Sequence, residues 1–403
     1  MLNTPFAPWP SFTQDEATAV SEVLLSNKVN YWTGQHGREF EKEFAAWADS
    51  DYAIALTNGT VALDLALKAL DVGPGDEVIV TSRTFLASAS SIVTAGAVPI
   101  FADVDADSQN ITADSVRKVL TERTKAIICV HLAGWPCDMD PIMALAAEHN
   151  VYVIEDCAQA HGARYKGRSV GSIGHISAWS FCQDKIMTTG GEGGMVTTND
   201  PELWSRMWSY KDHGKSWEAI YEREHPPGFR WLHDSFGTNW RMTELQAVIG
   251  RIQLKRMADW TAARTANAER IWQTCRDLPV VRVPAFACAG SCNADCASRN
   301  QCTHAHYKCY VQVRPEQLAA GWSRDRIVEQ IVARGVPCFQ GACSEVYLEK
   351  AFDNTGWRPA ERLPVARELG ETSLMFLVHP TLTTAEIDKT CAIIAEVLGE
   401  AAR

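Results

Sequence analysis

The chain has 403 residues, of which 46% are hydrophobic, and its formal net charge at pH 7 is −11. This length predicts two domains with a sizeable core, and the composition excludes a largely disordered chain. The acidic balance argues against nucleic acid or an anionic membrane surface as the main partner. No apolar run approaches the roughly 20 residues of a membrane-spanning helix.

The first two-thirds of the chain alternate short β-rich apolar runs with helical patterns. Strands are predicted at residues 52–56, 77–81, 98–101, 126–130, 151–154, 176–181 and 194–198. Helices are predicted at residues 60–70, 85–95, 113–121 and 141–149. This alternation is typical of an α/β layer with a mainly parallel sheet. The last strand follows a glycine-rich turn, and we expect it to return antiparallel.

The alternating pattern ends near residue 241. A long helical stretch follows at residues 243–275, with apolar residues at helical spacing. We predict that it leaves a large N-terminal domain, residues 1–250, and leads into a smaller one, residues 251–403. The smaller part has predicted strands at residues 307–313 and 373–378, and predicted helices at residues 323–334, 360–369 and 384–398.

The chain contains thirteen cysteines, and its first residues lack the basic and apolar regions of a signal peptide. We therefore expect reduced thiols and a cytoplasmic location. Cys288, Cys292, Cys296, Cys302 and Cys309 fall close together. Their spacing is not the tight pairing of zinc ribbons or of the common ferredoxins. We predict no metal site here, with a metal or iron–sulfur cluster as the alternative.

A polar turn after the first predicted strand is a candidate for anion binding. Thr57, Asn58, Gly59 and Thr60 end that strand and open a helix. Free backbone N–H groups and the helix dipole favour an anion at such a turn, and glycine lets the backbone approach closely. Ser180, later in the chain, offers a hydroxyl for the same anion. An N-capped turn without a ligand is the alternative, and the pattern alone favours it.

An acid at the end of a buried strand is the second candidate. Asp156 follows the apolar run at residues 151–154, at the strand end where open α/β sheets bind ligands. A carboxylate bound to a ring nitrogen raises the pKa of that nitrogen, as the pyridine of pyridoxal phosphate (PLP) requires to act as an electron sink. Glu155 points oppositely in an extended strand, so only one of the two acids faces the ring. Capping a local turn is the alternative for Asp156.

Lys185 supplies the third part. It lies five residues after Ser180 and just before the glycine-rich run at residues 190–194. Its amine can form an imine with the PLP aldehyde and, once released, can carry protons. A lysine taken at random is a solvated surface charge, so the assignment rests on its neighbours. Together with Asp156 and the polar turn, Lys185 indicates a PLP enzyme, and an aminotransferase is the first hypothesis.

Three motifs together resemble the nucleotide-sugar aminotransferases of the DegT–StrS family. They are EDCAQAHG at residues 155–162, Ser180-Phe181 with Lys185, and TTGGEGG at residues 188–194. The likeness extends from about residue 32 to residue 379. It implies an α/β fold of the fold type I aminotransferase kind: a large domain with a mainly parallel seven-stranded sheet between helices, and a smaller C-terminal α+β domain. It also implies a homodimer with shared active sites.

The resemblance implies roles for individual residues. Lys185 would hold PLP covalently and act in catalysis, with pyridoxamine phosphate (PMP) as the intermediate cofactor form, and Asp156 would pair with the pyridine nitrogen. Gln159 and Phe85 would contact the ring. Gly59, Thr60 and Ser180 would hold its phosphate, and Asn239 would reach the phosphate of the cofactor in the neighbouring subunit. From spacing alone, Phe85 is a core residue and Asn239 a loop residue.

The family's reaction converts a keto group of a nucleotide-linked sugar to an amino group, usually with L-glutamate as donor, in bacterial surface-polysaccharide or related amino-sugar biosynthesis. Segments that match the family's substrate pocket contain Tyr31, Trp32, His306, Tyr307 and Glu345. For each of these, ordinary packing explains the residue at least as well. The nucleotide, the sugar and the aminated carbon stay open.

Three other functions remain as alternatives. A PLP- or PMP-dependent sugar dehydratase of the same fold typically carries histidine where this chain has Lys185, and some use an iron–sulfur cluster. An aminotransferase acting on a cyclitol ketone is the second. A non-enzymatic PLP-binding regulator is the third, and no basic helix-turn-helix segment supports it.

Arg83 departs from the small or apolar residue common at its place, and we favour a local ion pair over a cation at the substrate.

Overall fold

The computed structural model describes residues 5–225, 227–228, 230–285 and 302–402. A seven-stranded sheet forms the centre of the large domain. Its strands are β1 (Tyr52–Leu56), β2 (Glu77–Thr81), β3 (Val98–Ala102), β4 (Thr124–Val130), β5 (Tyr152–Asp156), β8 (Ile176–Ser180) and β9 (Gly194–Thr198). Their order is β1-β9-β8-β5-β4-β2-β3. In this sheet, β9 runs in the direction opposite to the other six strands, which confirms the predicted return from the glycine-rich turn.

Helices cover both faces of this sheet, as the buried strands of a parallel sheet require. They are α1 (Gln14–Leu25), α2 (His36–Trp47), α3 (Gly59–Ala69), α4 (Ala87–Thr94), α5 (Ala113–Arg117), α6 (Met139–His149), α7 (Pro201–Tyr210) and α8 (Trp217–Tyr221). Side chains alternate along β2: Val78 and Val80 pack on the side of α3, α4 and α7, and Ile79 packs with α5 and α6. A two-stranded hairpin, β6 (Arg164–Tyr165) and β7 (Arg168–Ser169), lies between β5 and β8 in sequence.

The smaller domain is built on an antiparallel four-stranded sheet. Its strands are β10 (Val281–Arg282), β11 (Cys309–Val313), β12 (Cys338–Phe339) and β13 (Ser373–Phe376), in the order β10-β11-β13-β12. Its helices are α10 (Met257–Arg276), α11 (Arg324–Ala333), α12 (Pro364–Thr372) and α13 (Thr384–Ala401). Ile271, Val311, Leu374 and Ile394 meet in one core, so the helices and the sheet of this domain form a single packed unit.

The long helical stretch predicted at residues 243–275 is two helices, α9 (Glu244–Leu254) and α10. The break needs neither proline nor glycine. The Arg256 N–H bonds to the Gln253 carbonyl at 2.9 Å, a tight turn of the 3₁₀ type, and the Arg256 guanidinium holds Glu16 of α1 at 2.6 Å. The predicted domain boundary after residue 250 falls within α9, which packs against α1 and α2, whereas α10 packs against α13.

Two predicted helices have wrong ends. The helix predicted at residues 113–121 stops at Arg117, followed by a turn in which Val119 and Leu120 both bond to the Val116 carbonyl. The helix predicted at residues 360–369 begins at Pro364, because proline is favoured in the first turn and excluded from the interior. Among the described residues, every helix is too short or too polar to cross a lipid bilayer.

Candidate active site

A cavity of about 1080 Å³ lies at the carboxyl ends of β1, β2, β5 and β8, where the small domain faces the sheet. The large domain contributes the turns that follow these strands. The small domain contributes residues around β11, β12 and β13, among them Tyr310, Phe339 and Met375. Of the predicted cofactor contacts, all but Asn239 line this cavity: Gly59, Thr60, Phe85, Asp156, Gln159, Ser180 and Lys185.

The polar turn after β1 presents free donors to the cavity. The Asn58 side chain caps α3 by accepting the Val61 N–H at 3.0 Å. The N–H groups of Gly59 and Thr60 make no hydrogen bond to any described residue, as the first donors of a helix commonly do not. A Cβ on Gly59 would stand 2.5 Å from the Cβ of Ser180, so the close approach of the two segments requires glycine. The turn is therefore a cradle for an anion, with the Ser180 side chain against it.

The adjacent acids at the end of β5 serve opposite sides of the sheet. Asp156 lines the cavity and is held by the Ser88 hydroxyl at 2.8 Å and by the Ala158 N–H at 3.1 Å. Glu155 is fully buried and bonds to His131 Nε2 at 2.9 Å. It also accepts three backbone N–H groups, those of Gly171, Ile173 and Gly174. Alternation along an extended strand thus gives one carboxylate to the cavity and one to the scaffold.

The pKa of the Glu155 carboxyl reflects its role in the scaffold. Burial by itself raises this pKa, but the hydrogen bond and charge of His131, together with the backbone donors, lower it overall. Glu155, His131 and Cys157 stand close enough to hold a metal ion. However, His131 Nδ1 already accepts the Cys137 N–H at 3.0 Å, and its Nε2 faces Glu155. Both ring nitrogens are engaged, so the cluster acts as a hydrogen-bonded support for β5.

Lys185 projects into the cavity beside an aromatic ring of the small domain. Its Nζ lies 5.2 Å from the centre of the Tyr307 ring. The Tyr307 hydroxyl donates to Asp184, and the Trp9 indole donates to the Lys185 carbonyl at 2.8 Å. Within the described ranges, the Lys185 Nζ makes no hydrogen bond or ion pair. The backbone around this lysine is therefore fixed, while its amine remains open to a reaction partner.

Gln159 and Phe85 border the same space. The Gln159 carbonyl oxygen accepts the Ala133 N–H at 2.9 Å, which fixes the side chain at the wall. Phe85 is 70% exposed, although it directly follows the buried residues 81–84, so the core position favoured by spacing alone is wrong. Its ring offers an open apolar face to the cavity.

The residues predicted on the substrate side are not brought together. Tyr307 lines the cavity, whereas Tyr31, Trp32, His306 and Glu345 do not. The buried Tyr31 hydroxyl donates to Glu41 at 2.9 Å. Trp32 packs against Trp208 in the large-domain core, with ring centres 6.1 Å apart.

His306 and Glu345 also engage other groups of the chain. The His306 ring stacks on His304 at 3.9 Å, and burial, reinforced by the charge of Arg264, lowers the pKa of His306 to about 3. Glu345 forms an ion pair with Arg362 and accepts the Tyr347 hydroxyl at 2.5 Å. In this chain, both side chains are placed as supports behind the cavity wall.

Arg83 does not form the predicted ion pair. Its side chain is fully buried and donates to the hydroxyls of Ser344 at 2.8 Å and Ser373 at 2.9 Å, and it lies over the Tyr310 ring. No carboxylate among the described residues pairs with it, and burial lowers its pKa. The guanidinium links the turn after β2 to the small domain, one layer behind the cavity.

Asn239 and the cysteine group lie elsewhere. Asn239 is exposed, on a segment that also presents Trp231 and Phe236 at 75% and 98% exposure. Cys288, Cys292 and Cys296 lie outside the described residues. The Cys302 Sγ accepts the Lys166 N–H at 3.4 Å, whereas Cys309 is buried in the core of the small domain.

Sequence reasoning missed Lys308, which lines the cavity next to Tyr307. Cys343 and Glu349, which line it from the small domain, were also missed. Lys308 carried one usable signal, because it adjoins a segment already matched to a substrate pocket. Cys343 and Glu349 flank the matched segment that contains Glu345, so they carried the same signal, although no periodic pattern points to either side chain.

The two-domain α/β architecture, with a lysine, a carboxylate and an anion cradle around one cavity, defines the class: a fold type I aminotransferase-like protein. The family can be named from sequence comparison. The model of the DegT/DnrJ/EryC1/StrS aminotransferase family matches residues 10–395, and the chain belongs to that family.

Individual relatives extend this likeness over the whole chain. The chain is 38% identical over 385 residues to GDP-perosamine synthase of Caulobacter vibrioides, covering 94% of this chain and 95% of that protein. It is 67% identical to the aminotransferase from Psychrobacter cryohalolentis, whose X-ray structure superposes with a TM-score of 0.95 over 98% of this chain and 100% of that one. The structure of DesV from S. venezuelae, in complex with a ketimine intermediate, superposes with a TM-score of 0.84 at 30% identity, over 98% and 99% of the two chains.

Proposed function

We propose that this chain is a PLP-dependent aminotransferase that converts a keto group of a nucleotide-linked sugar to an amino group, with L-glutamate as the amino donor. The observation that carries the proposal is the meeting of Lys185, Asp156 and the Gly59–Thr60 turn in one cavity of a family member. Relatives named for GDP-, dTDP- and UDP-linked sugars support the substrate class. A relative named for spore coat polysaccharide biosynthesis supports a role in surface-polysaccharide synthesis.

The residues present fit PLP. A cradle of free N–H groups, narrowed so far that a Cβ on Gly59 would not fit, suits the phosphate. The Asp156 carboxylate suits the pyridine nitrogen, and the exposed Phe85 ring suits a flat aromatic group. When bound, PLP supplies an electron sink for the carbon that loses or gains a proton.

The chain's own groups then have separable tasks. Asp156, held by Ser88, would keep the ring nitrogen protonated. The Lys185 amine would hold the cofactor and, when free, move a proton at the substrate carbon. The apolar walls, including Phe85, Phe339 and Met375, would exclude water from this proton transfer.

We propose further that the enzyme works in the cytoplasm as a homodimer with shared active sites. The exposed Trp231 and Phe236 beside Asn239 support a second copy on this surface, since isolated chains rarely expose such large apolar groups together. All ten described cysteines are free thiols, which agrees with a reducing compartment. Sedimentation of the wild type and of a Phe236→Asp variant tests the dimer: a fully dimeric variant would contradict this surface.

Borohydride reduction and peptide mapping test the cofactor assignment. Reduction of the yellow holoenzyme should leave the pyridoxyl label on Lys185. Lys308, the second amine of the cavity, serves as the internal control, and a label on Lys308 or on neither amine overturns the assignment. The sugar assignment is tested by incubation with L-glutamate and GDP-, dTDP- and UDP-linked keto-hexoses, with an inosose as the cyclitol alternative.

The outcome of that incubation separates the remaining enzymatic functions. A glutamate-dependent amino sugar supports the proposal, and an aminated cyclitol formed in preference to every keto-sugar supports the cyclitol alternative. Loss of a sugar hydroxyl without use of glutamate, together with stoichiometric iron in anaerobically purified protein, supports the dehydratase. The family name and the lysine at position 185 both favour amino transfer.

A further inference from the structure

Lys308 is a second amine in the cavity, and it stands at the junction of the domains. The segment before it is tied to the large domain, since Ala305 and Tyr307 donate to the carbonyls of Gly134 and Ala133 at 2.9 Å. The strand β11 begins directly after it. Lys308 and Lys185 lie over the same Tyr307 ring, 4.7 Å and 5.2 Å from its centre. The two amines therefore face one region of the cavity.

The surroundings of Lys308 compensate its charge only in part. Within the described part of the chain, its Nζ makes no hydrogen bond or ion pair. Arg264, fully buried, contributes a further cation, and its bonds to the carbonyls of His306 and Tyr307 are long, 3.4 Å each. Asp184 is the only carboxylate that acts on Lys308 among the described groups, and it is already engaged by the Tyr307 hydroxyl.

We propose that Lys308 binds the carboxylate of the amino-acid donor. This rests on the proposed function, because it names a contact for one of its two substrates. A half-buried cation with no hydrogen bond or ion pair of its own favours an anionic ligand, and an ammonium–carboxylate hydrogen bond is a strong one. In an amino acid, the carboxylate sits on the same carbon as the reacting amine, so the anion falls close to Lys185. In a nucleotide-linked sugar, the hexose ring separates the pyrophosphate from the keto carbon, which places that anion farther away.

The electrostatics of the site give the proposal a pH signature. Burial lowers the pKa of the Lys308 amine to about 8; Asp184 opposes this shift, while Arg264 and Lys185 reinforce it. His379, after β13, also faces this group, but its pKa is about 4, so it stays neutral in the relevant range. The affinity for a carboxylate bound by Lys308 should therefore fall as the pH rises above about 8. An arginine at this position should abolish that dependence, because its pKa lies above about 12.

Calorimetric titration of the holoenzyme with glutarate tests the site without turnover. Lys308→Met should weaken glutarate binding by about tenfold or more, and Lys308→Arg should retain it with a flat pH profile. The surface variant Lys118→Met is the matched control and should bind glutarate normally. Inorganic pyrophosphate is the comparison anion, and its affinity should be unchanged in Lys308→Met. Unchanged glutarate binding in Lys308→Met, or an equal or larger loss for pyrophosphate, overturns the proposal.

The two half-reactions supply an independent measurement. In single turnovers, Lys308→Met should raise the half-saturating concentration of L-glutamate by about tenfold and leave that of the keto-sugar unchanged. An enzyme that binds glutarate through Lys308 yet transfers no amino group would contradict the proposed function and leave the anion site standing. An enzyme that transfers amino groups equally well with and without Lys308 would contradict the anion site alone.

Discussion

The two walls of the cavity differ in how they are built. The large-domain wall consists of strand ends: Asp156 closes β5, Ser180 closes β8, and Gly59 opens the helix after β1. Each position follows from the direction of a parallel strand, so these side chains converge whatever the loops do. The small-domain wall is made by side chains of an antiparallel sheet and its turns, such as Tyr310, Phe339 and Cys343. Their convergence depends on how the two domains dock, which no local pattern encodes.

The largest expected effect belongs to the strand-end wall. Lys185→Ala should lower amino transfer by about 10³-fold or more, because it removes the amine proposed to carry the proton. Rate measurements with saturating PLP, alongside Lys308→Ala, check this. Equal losses in the two variants would erase the distinction between the walls.

That distinction also explains what the sequence could predict. The strands and helices of the large domain, and the meeting of Lys185 with Asp156, follow from the apolar runs and from three spaced motifs. Tyr31 and His306 lie in matched segments, but neither lines the cavity, because matching a segment does not fix which way its side chain points. Lys308, two residues beyond His306 in the same segment, does line it. The error at these positions is therefore one of side-chain direction, in the large domain for Tyr31 and at the domain junction for His306.

The two adjacent acids on β5 allow a comparison within the large-domain wall, between a side chain that faces the cavity and one that faces the scaffold. Asp156→Asn should lower the turnover number by about 10²-fold and leave the thermal unfolding temperature nearly unchanged. Glu155→Gln should instead cost about 2–3 kcal/mol of unfolding free energy, because the buried carboxylate accepts a bond from His131 and three from the backbone. Kinetics and chemical denaturation of both variants check this difference. If Asp156→Asn mainly lowers stability and Glu155→Gln mainly lowers turnover, the roles given to the two acids are wrong.

Glu155 also predicts the direction in which folding stability changes with pH. Its folded pKa is lowered relative to that of the unfolded chain, so its contribution to stability is full above the ordinary glutamate pKa. The contribution is lost as the pH falls through the folded value. The unfolding free energy of the wild type should therefore fall more steeply below about pH 4.3 than that of Glu155→Gln. If the two plots of unfolding free energy against pH are parallel, Glu155 does not contribute to acid denaturation.

A smaller effect is expected at the anion cradle. Gly59→Ala places a Cβ within 2.5 Å of the Ser180 Cβ, so the turn must widen. A clash of this size should weaken PLP binding by about tenfold. The double variant Gly59→Ala with Ser180→Gly removes that atom, so it should bind PLP about as well as Ser180→Gly alone. A further tenfold loss relative to Ser180→Gly would mean that the clash is not the cause. Fluorescence titration of the apoenzyme with PLP measures both.

The smallest effect is expected at Glu345, which the resemblance assigned to the substrate and the structure assigns to Arg362 and Tyr347. Glu345→Gln keeps the shape of the side chain and weakens the ion pair, so stability should fall by about 1 kcal/mol or less. The KM for the keto-sugar should stay unchanged, because the side chain does not reach the cavity wall. A tenfold rise in that KM, with the KM for L-glutamate constant, would restore Glu345 to the substrate site. It would then follow that the small-domain wall rearranges when the sugar binds, which a strand-end wall is not built to do.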